Sequence, residues 1–141
     1  MKPFTETERE NFLAALHVAV LSVATGTERP PASVPIWYDY VPGGNIRIST
    51  GAHSRKARLI EQAGAVTLVA QHEEPPYQYV VVEGTVVDTV TPTPAELSEE
   101  IAIRYLGDEG GRAFVASFDE SHESVLFVIR PDRWLTADYS G

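Results

Sequence analysis

Stretches rich in β-branched residues recur along this chain, and glycine or proline closes nearly every one. From His17 the density of such residues rises through Val18, Val20, Val23 and Thr25, and Gly26 with Pro30-Pro31 ends the run, as expected of a strand entering a loop. Ala32 to Tyr40 and Asn45 to Thr50 flank Pro42-Gly43-Gly44, whose glycines permit a reversal, so the pattern predicts a hairpin. Ala65 to Gln71 and Tyr77 to Val90 form another pair joined at Glu73-Glu74-Pro75-Pro76, and Gly84 inside the second predicts a bulge or a close backbone approach. Ser124 to Ile129 is the last clear strand, followed beyond Pro131 by a bent terminal one at Trp134-Leu135. Helical signals are short. Thr5-Glu6-Thr7-Glu8 has the form of a capping box, with Phe12, Leu13 and Leu16 on one stripe. Ser54 is a plausible N-cap for a helix through Gln62 that Gly64 stops. Pro94 opens a helix through Leu106 that Gly107 ends, and a second helical piece holds Phe114 and Phe118. About six strands with short flanking helices predict an α+β, mainly β, closed or nearly closed antiparallel barrel instead of alternating βαβ units. With no shift in composition and no repeat, residues 1–141 read as one domain.

Charge and composition narrow the partners. Eleven Lys and Arg against 20 Asp and Glu give a net charge of −9, which repels nucleic acid and anionic lipid, so any bound anion needs a local cluster of cations. The chain has no cysteine, which excludes disulfides, thiolate metal sites and cysteine nucleophiles and makes a reducing cytoplasm the default. The start, Met1 to Glu6, has no apolar core of a signal peptide, and the apolar run Val18 to Val23 is far too short for a membrane span. The expectation is a soluble, cytoplasmic protein without nucleic-acid or membrane partners.

The most informative stretch is Ile48-Ser49-Thr50-Gly51-Ala52-His53-Ser54-Arg55-Lys56-Ala57. There a strand ends, a glycine turn re-aims the chain, and a helix begins with hydroxyls and two adjacent cations. Free amides at a helix start, hydroxyls, an Arg fork and a Lys point charge together suit a phosphate dianion, while a solvated basic helix start is the competing reading. Histidines 17, 53, 72 and 122 lack metal-ligand spacing, and His17 reads as a satisfied core or rim residue. Asp119, Glu120, His122 and Glu123 crowd one short segment without a nucleophile elbow and read as a solvated loop. Gly107 to Gly111 lacks the Lys of a P-loop and reads as a helix-ending turn.

Thr50 through Ala57 resembles the flavin-phosphate motif of the pyridoxamine 5′-phosphate oxidase-like split β-barrels. More particularly, the chain is similar to the flavin/deazaflavin oxidoreductase B group, whose members depend on coenzyme F420. Four further pieces fall in the matching order: Ser33 to Tyr38, Pro76 to Gly84, Arg104 to Gly107 and Ile129 to Trp134. The resemblance implies a split β-barrel homodimer with a cofactor in each of two grooves between subunits. Carried over by position, Val34, Pro35, Ile36 and Trp37 would lie along the tricyclic ring, and Thr50, Ser54, Arg55 and Lys56 would hold the phosphate. Tyr77, Tyr79 and Trp134 would approach from the partner chain. The implied activity is hydride transfer from reduced coenzyme F420 to an unsaturated small-molecule substrate, with no side-chain acid or base required and no metal. Two alternatives stand beside it: an FMN-dependent oxidase or reductase, and a non-catalytic flavin or tetrapyrrole binding protein. Relatives often carry Arg where Gln78 stands and Asp-Pro-Arg where Ala63-Gly64-Ala65 stands. Both changes remove positive charge that the deazaflavin's oligoglutamate tail would favour, leaving Arg29, Arg47 and Arg58 to serve it.

Overall fold

The computed structural model describes residues 1–119 and 121–141. The elements in chain order are α1 (Glu6–Ala14), β1 (Ala19–Val23), β2 (Ala32–Ile36), β3 (Asp39–Tyr40), β4 (Ile46–Gly51) and α2 (Arg55–Ala63), then β5 (Ala65–His72), β6 (Gln78–Val90), α3 (Ala95–Ala116) and β7 (Ser124–Asp138). The described residues form a seven-stranded sheet in the order β2-β1-β5-β6-β7-β4-β3, antiparallel throughout. Its two edge strands, β2 and β3, are separated in the chain by only Trp37 and Tyr38. A link that short cannot cross a flat sheet of this width, so the sheet curls until its edges are neighbours. The result is the expected α+β barrel, open along one seam.

The predicted hairpin is thereby only partly formed. Asp39 and Tyr40 pair with β4, whereas residues 32–36 pair with β1 at the opposite edge. The switch falls at Tyr38, whose side chain is fully buried and whose hydroxyl donates to the Leu13 carbonyl at 2.6 Å. The alternation of β2 then turns Ile36 into the core with Leu21, Leu68, Val80 and Phe127. The final strand also departs from expectation. Residues 124–138 are one continuous strand along β6, and Asp132 is the extra residue in a bulge between the pairs Glu83–Arg133 and Gly84–Pro131. Pro131, which has no N–H to contribute, sits where the ladder is already interrupted.

The helices follow their caps. Thr5 and Glu8 exchange both bonds of the capping box at 2.8 and 3.1 Å, and α2 ends at Gly64 in the left-handed conformation, φ 68°. In α3 only Gly107 leaves helical geometry, with φ 81°, so the helix resumes at Asp108 and the expected turn through Gly111 is absent. Phe118 lies beyond the helix end at Ala116. The second part of α3 folds closely onto the first: a Cβ on Gly111 would stand 2.5 Å from the Ile103 amide nitrogen.

Gly84 is held by the same kind of contact, since a Cβ there would meet Ile129 Cγ2 at 2.5 Å and the Arg130 carbonyl oxygen at 2.8 Å. Gly84→Ala is expected to lower unfolding free energy by about 1–3 kcal/mol, the ordinary cost of overpacking, measured by urea denaturation.

Candidate functional site

Where β4 hands over to α2, the local hydrogen bonds are made by the fold itself. The Ala52 amide donates to the Glu123 carbonyl at 2.9 Å, tying the turn to the segment before β7. The Ser54 hydroxyl accepts from the Ala57 amide at 3.1 Å and donates to the Gly51 carbonyl at 2.8 Å, so it is an N-cap with its hydrogen committed. Arg58 donates to the His53 carbonyl at 2.9 Å, and His53 Nε2 lies 2.9 Å from Glu123 Oε2. Among the described residues, the side chains of Arg55 and Lys56 make neither a hydrogen bond nor an ion pair. Arg55 is exposed. Lys56 is half-buried, and that burial holds its ammonium below the ordinary lysine range. The first turn of α2 carries no acidic residue, so two cations stand at the positive end of the helix dipole without local compensation.

Beside Lys56 opens a cleft of about 370 Å³ between the end of β2, the end of β4 and α3. Pro35, Ile36, Trp37, Thr50 and Lys56 line it, which brings together residues from both expected parts of the site, the ring wall and the phosphate seat. Val34 and Arg55 line a neighbouring recess of about 180 Å³, and Lys56 borders both spaces. The remaining candidates line neither. Tyr77 is 54% exposed, and Tyr79 is half-buried beside it on β6. Trp134 packs within its own chain, 6.2 Å from the Tyr40 ring and under the Arg9 guanidinium at 4.8 Å. Arg47, a candidate for the cofactor tail, is bound bidentately by Asp39 at 2.8 and 2.7 Å.

The cleft also holds residues that the sequence reading left unassigned. Phe114, Phe118 and His122 line it, continuing a series of aromatic contacts that starts at Tyr105. Tyr105 stacks on Trp37 with centroids 5.0 Å apart and planes 7° from parallel; Trp37 to Phe114 is 5.4 Å, Phe114 to Phe118 is 5.1 Å and Phe118 to His122 is 3.9 Å. Their signal in the sequence is an aromatic ring at every fourth position from 114 to 122. Of the proposed solvated loop, Asp119 accepts from Ser121, His122 stacks in the cleft, and Glu120 lies outside the described residues. His17 is satisfied, its Nε2 donating to the Phe12 carbonyl at 2.9 Å, and burial lowers its pKa. No metal-binding cluster exists among the described residues.

Trp37 is held from behind. The Tyr105 hydroxyl donates to the His17 carbonyl at 2.6 Å and accepts from the Tyr38 amide at 3.2 Å. Arg104 binds the carbonyls of Ala14 and Ala15 at 3.0 and 2.8 Å. One turn of α3 thus fixes the end of α1, the approach to β1 and the β2–β3 link together.

No family model matches the sequence, and a search of curated proteins finds no match. Solved structures do share its fold. An F420 reductase superposes with a TM-score of 0.71 at 22% identity, covering 89% of this chain and 94% of its own. The conserved hypothetical protein Rv2991 from Mycobacterium tuberculosis gives 0.71 at 21% identity, covering 96% of this chain and 86% of its own. A putative pyridoxamine 5′-phosphate oxidase from Listeria innocua gives 0.65 at 14% identity, covering 93% of this chain and 96% of its own. The chain therefore shares the split-barrel fold of these structures, an F420 reductase and a putative pyridoxamine 5′-phosphate oxidase among them. None of its described helices is long and apolar enough to cross a membrane.

Two outcomes follow from this geometry. A lysine whose folded pKa is depressed binds its proton more weakly than in the unfolded chain, so stability rises with pH between the depressed value and about 10.5. Lys56→Met is expected to raise the melting temperature of the ligand-free protein near neutral pH and to abolish its share of that rise, read by calorimetry across pH. Tyr105→Phe removes the donor to His17 and the acceptor for the Tyr38 amide; an expected loss of about 1–3 kcal/mol in urea unfolding would be accompanied by a shifted Trp37 emission in a Trp134→Phe background.

Proposed function

We propose that residues 1–141 form one cofactor-binding domain of a homodimeric oxidoreductase, using reduced coenzyme F420 to act on an unsaturated organic substrate. The observation that carries this reading is Lys56: a half-buried ammonium without an anionic partner among the described residues, at the junction of an apolar aromatic cleft and a helix start. Such a site is complete only with an anion bearing an apolar body. The residues present fit that description. Arg55, Lys56 and the Thr50 hydroxyl are available to the phosphate, whereas Ser54 serves by fixing the helix start and not by donating its hydrogen. Ile36 and Trp37 supply a water-excluding wall for the ring. β2 has a partner on one side only among the described residues, so backbone groups between Val34 and Trp37 are available to a ring edge.

When bound, the reduced deazaflavin supplies a hydride for an electron-poor double bond. This chain's part is to bind the anionic end, orient the ring and keep the groove dry. No acid or base of the chain is assigned to the proton, which solvent can deliver.

The outer face of the sheet supports a second copy. Val20, Val69, Val81 and Leu135 are consecutive cross-strand partners over β1, β5, β6 and β7, and Val20 and Leu135 are 39% and 43% exposed. A continuous apolar row of this kind suits a self-complementary interface. Tyr77 and Tyr79, at the start of β6, are the residues this reading assigns to the partner's cofactor, whereas Trp134, paired with the buried Val82, packs on Tyr40 and Arg9 of its own chain.

FMN is the second reading, and specific contacts favour it. Arg47 is committed to Asp39 and Arg58 donates to the His53 carbonyl, so of the three cations expected to serve an oligoglutamate tail only Arg29 has no such bond among the described residues. Titration of the protein with coenzyme F420 and with FMN, followed by fluorescence, separates the two. Arg55→Ala or Lys56→Ala is expected to weaken the preferred cofactor by about 1.5–3 kcal/mol, the worth of a hydrogen bond to a charged group. Unchanged affinity in both variants removes the assigned phosphate seat, and tight binding without oxidation of reduced cofactor by enones, quinones or biliverdin points to a carrier.

A further inference from the structure

We propose that Phe114, Phe118 and His122, which line the cleft beside Trp37, form a binding site for the electron acceptor, and that the acceptor is a planar, uncharged, conjugated ring carrying a carbonyl or hydroxyl at its edge. This rests on the oxidoreductase reading for the word acceptor; the ring site itself rests on the geometry.

Phe114 and Phe118 remain 42% and 37% exposed although each touches other aromatic rings, and both line the cleft. Apolar rings left partly open within a concave site are the usual lining for a flat apolar ligand. The two walls are stiff. Trp37 lies flat on Tyr105, whose hydroxyl is bonded at both ends, and Gly111 packs the second part of α3 against Ile103 too closely for a side chain. Trp37 and Phe114 are already in contact at 5.4 Å, so a ligand lies along the exposed part of this aromatic surface, and a flat ring covers the most of it. Among the described lining residues there is no carboxylate, and the one cation, Lys56, belongs to the phosphate seat of the proposed function, so this wall offers nothing to balance a charged ring. It does offer polar groups at its margin: the imidazole of His122 makes no hydrogen bond through its ring nitrogens among the described residues, and Ser98 and Ser124 also line the cleft.

The test uses 2-naphthol and its saturated counterpart decahydro-2-naphthol, titrated calorimetrically into the full-length protein alone and after saturation with FMN or coenzyme F420. The site requires 2-naphthol to bind about five- to tenfold more tightly than the saturated ring, the margin expected of aromatic contacts beyond area. Phe114→Leu and Phe118→Leu, which keep apolar bulk and are checked for folding by thermal melts, should each erase most of that margin. Equal affinity for the two probes, or a margin untouched by both variants, overturns the proposal. So does displacement of 2-naphthol by bound cofactor, which would assign this wall to the cofactor's own ring. A retained 2-naphthol preference in a protein that binds neither cofactor would sink the oxidoreductase reading and the acceptor role with it, leaving only the ring site.

Discussion

The connection through Trp37 and Tyr38 governs this molecule. It joins the two edges of a seven-stranded sheet, and a link of that length makes curvature obligatory. Tyr38 is the anchor: fully buried, bonded through its hydroxyl to α1 and through its amide to α3. Burial pushes its phenol well above the ordinary tyrosine range, so it stays a neutral donor. Trp37, one residue earlier, faces outward from the same link and becomes a wall of the cleft. The closure of the barrel and the placement of the cleft are therefore one event, and the aromatic site inherits the rigidity of the core.

Lys56 shows the opposite economy. The barrel gains nothing from holding an ammonium half out of water, and the dipole of α2 opposes it. A group that weakens the ligand-free fold and borders both the cleft and the recess makes physical sense as part of a binding site, where an anion would supply the missing compensation.

Much of this was legible in the sequence because local chemistry and tertiary structure agree. The capping box at Thr5, the N-cap at Ser54, the stop at Gly64, the break at Gly107 and the close approach at Gly84 were each marked by a residue whose physics admits few alternatives. Most strands showed through their β-branched runs. The hairpin forms only at Asp39 and Tyr40: periodicity reveals that 32–40 is extended but not which strand accepts it, and the change of partner at Tyr38 depends on sheet curvature, a non-local property. The last strand was divided at Pro131 because a proline normally ends a ladder, and only the bulge opposite Gly84 shows why it is tolerated. Around the cleft, Arg55 and Lys56 stand out in the sequence by charge and residues 34–37 by resemblance, whereas Phe114, Phe118 and His122 resemble ordinary core or loop. Their shared cleft arises from the fold-back of α3 at Gly111, which no spacing rule along the chain conveys.

The Ser54 cap carries one more consequence. Since that hydroxyl closes the start of α2 on its own, bonded to Gly51 and Ala57, the backbone around it is already wound before any guest arrives. An anion bound there would carry no entropic toll for winding a helix, and the ordering left to it would be that of the Arg55 and Lys56 side chains.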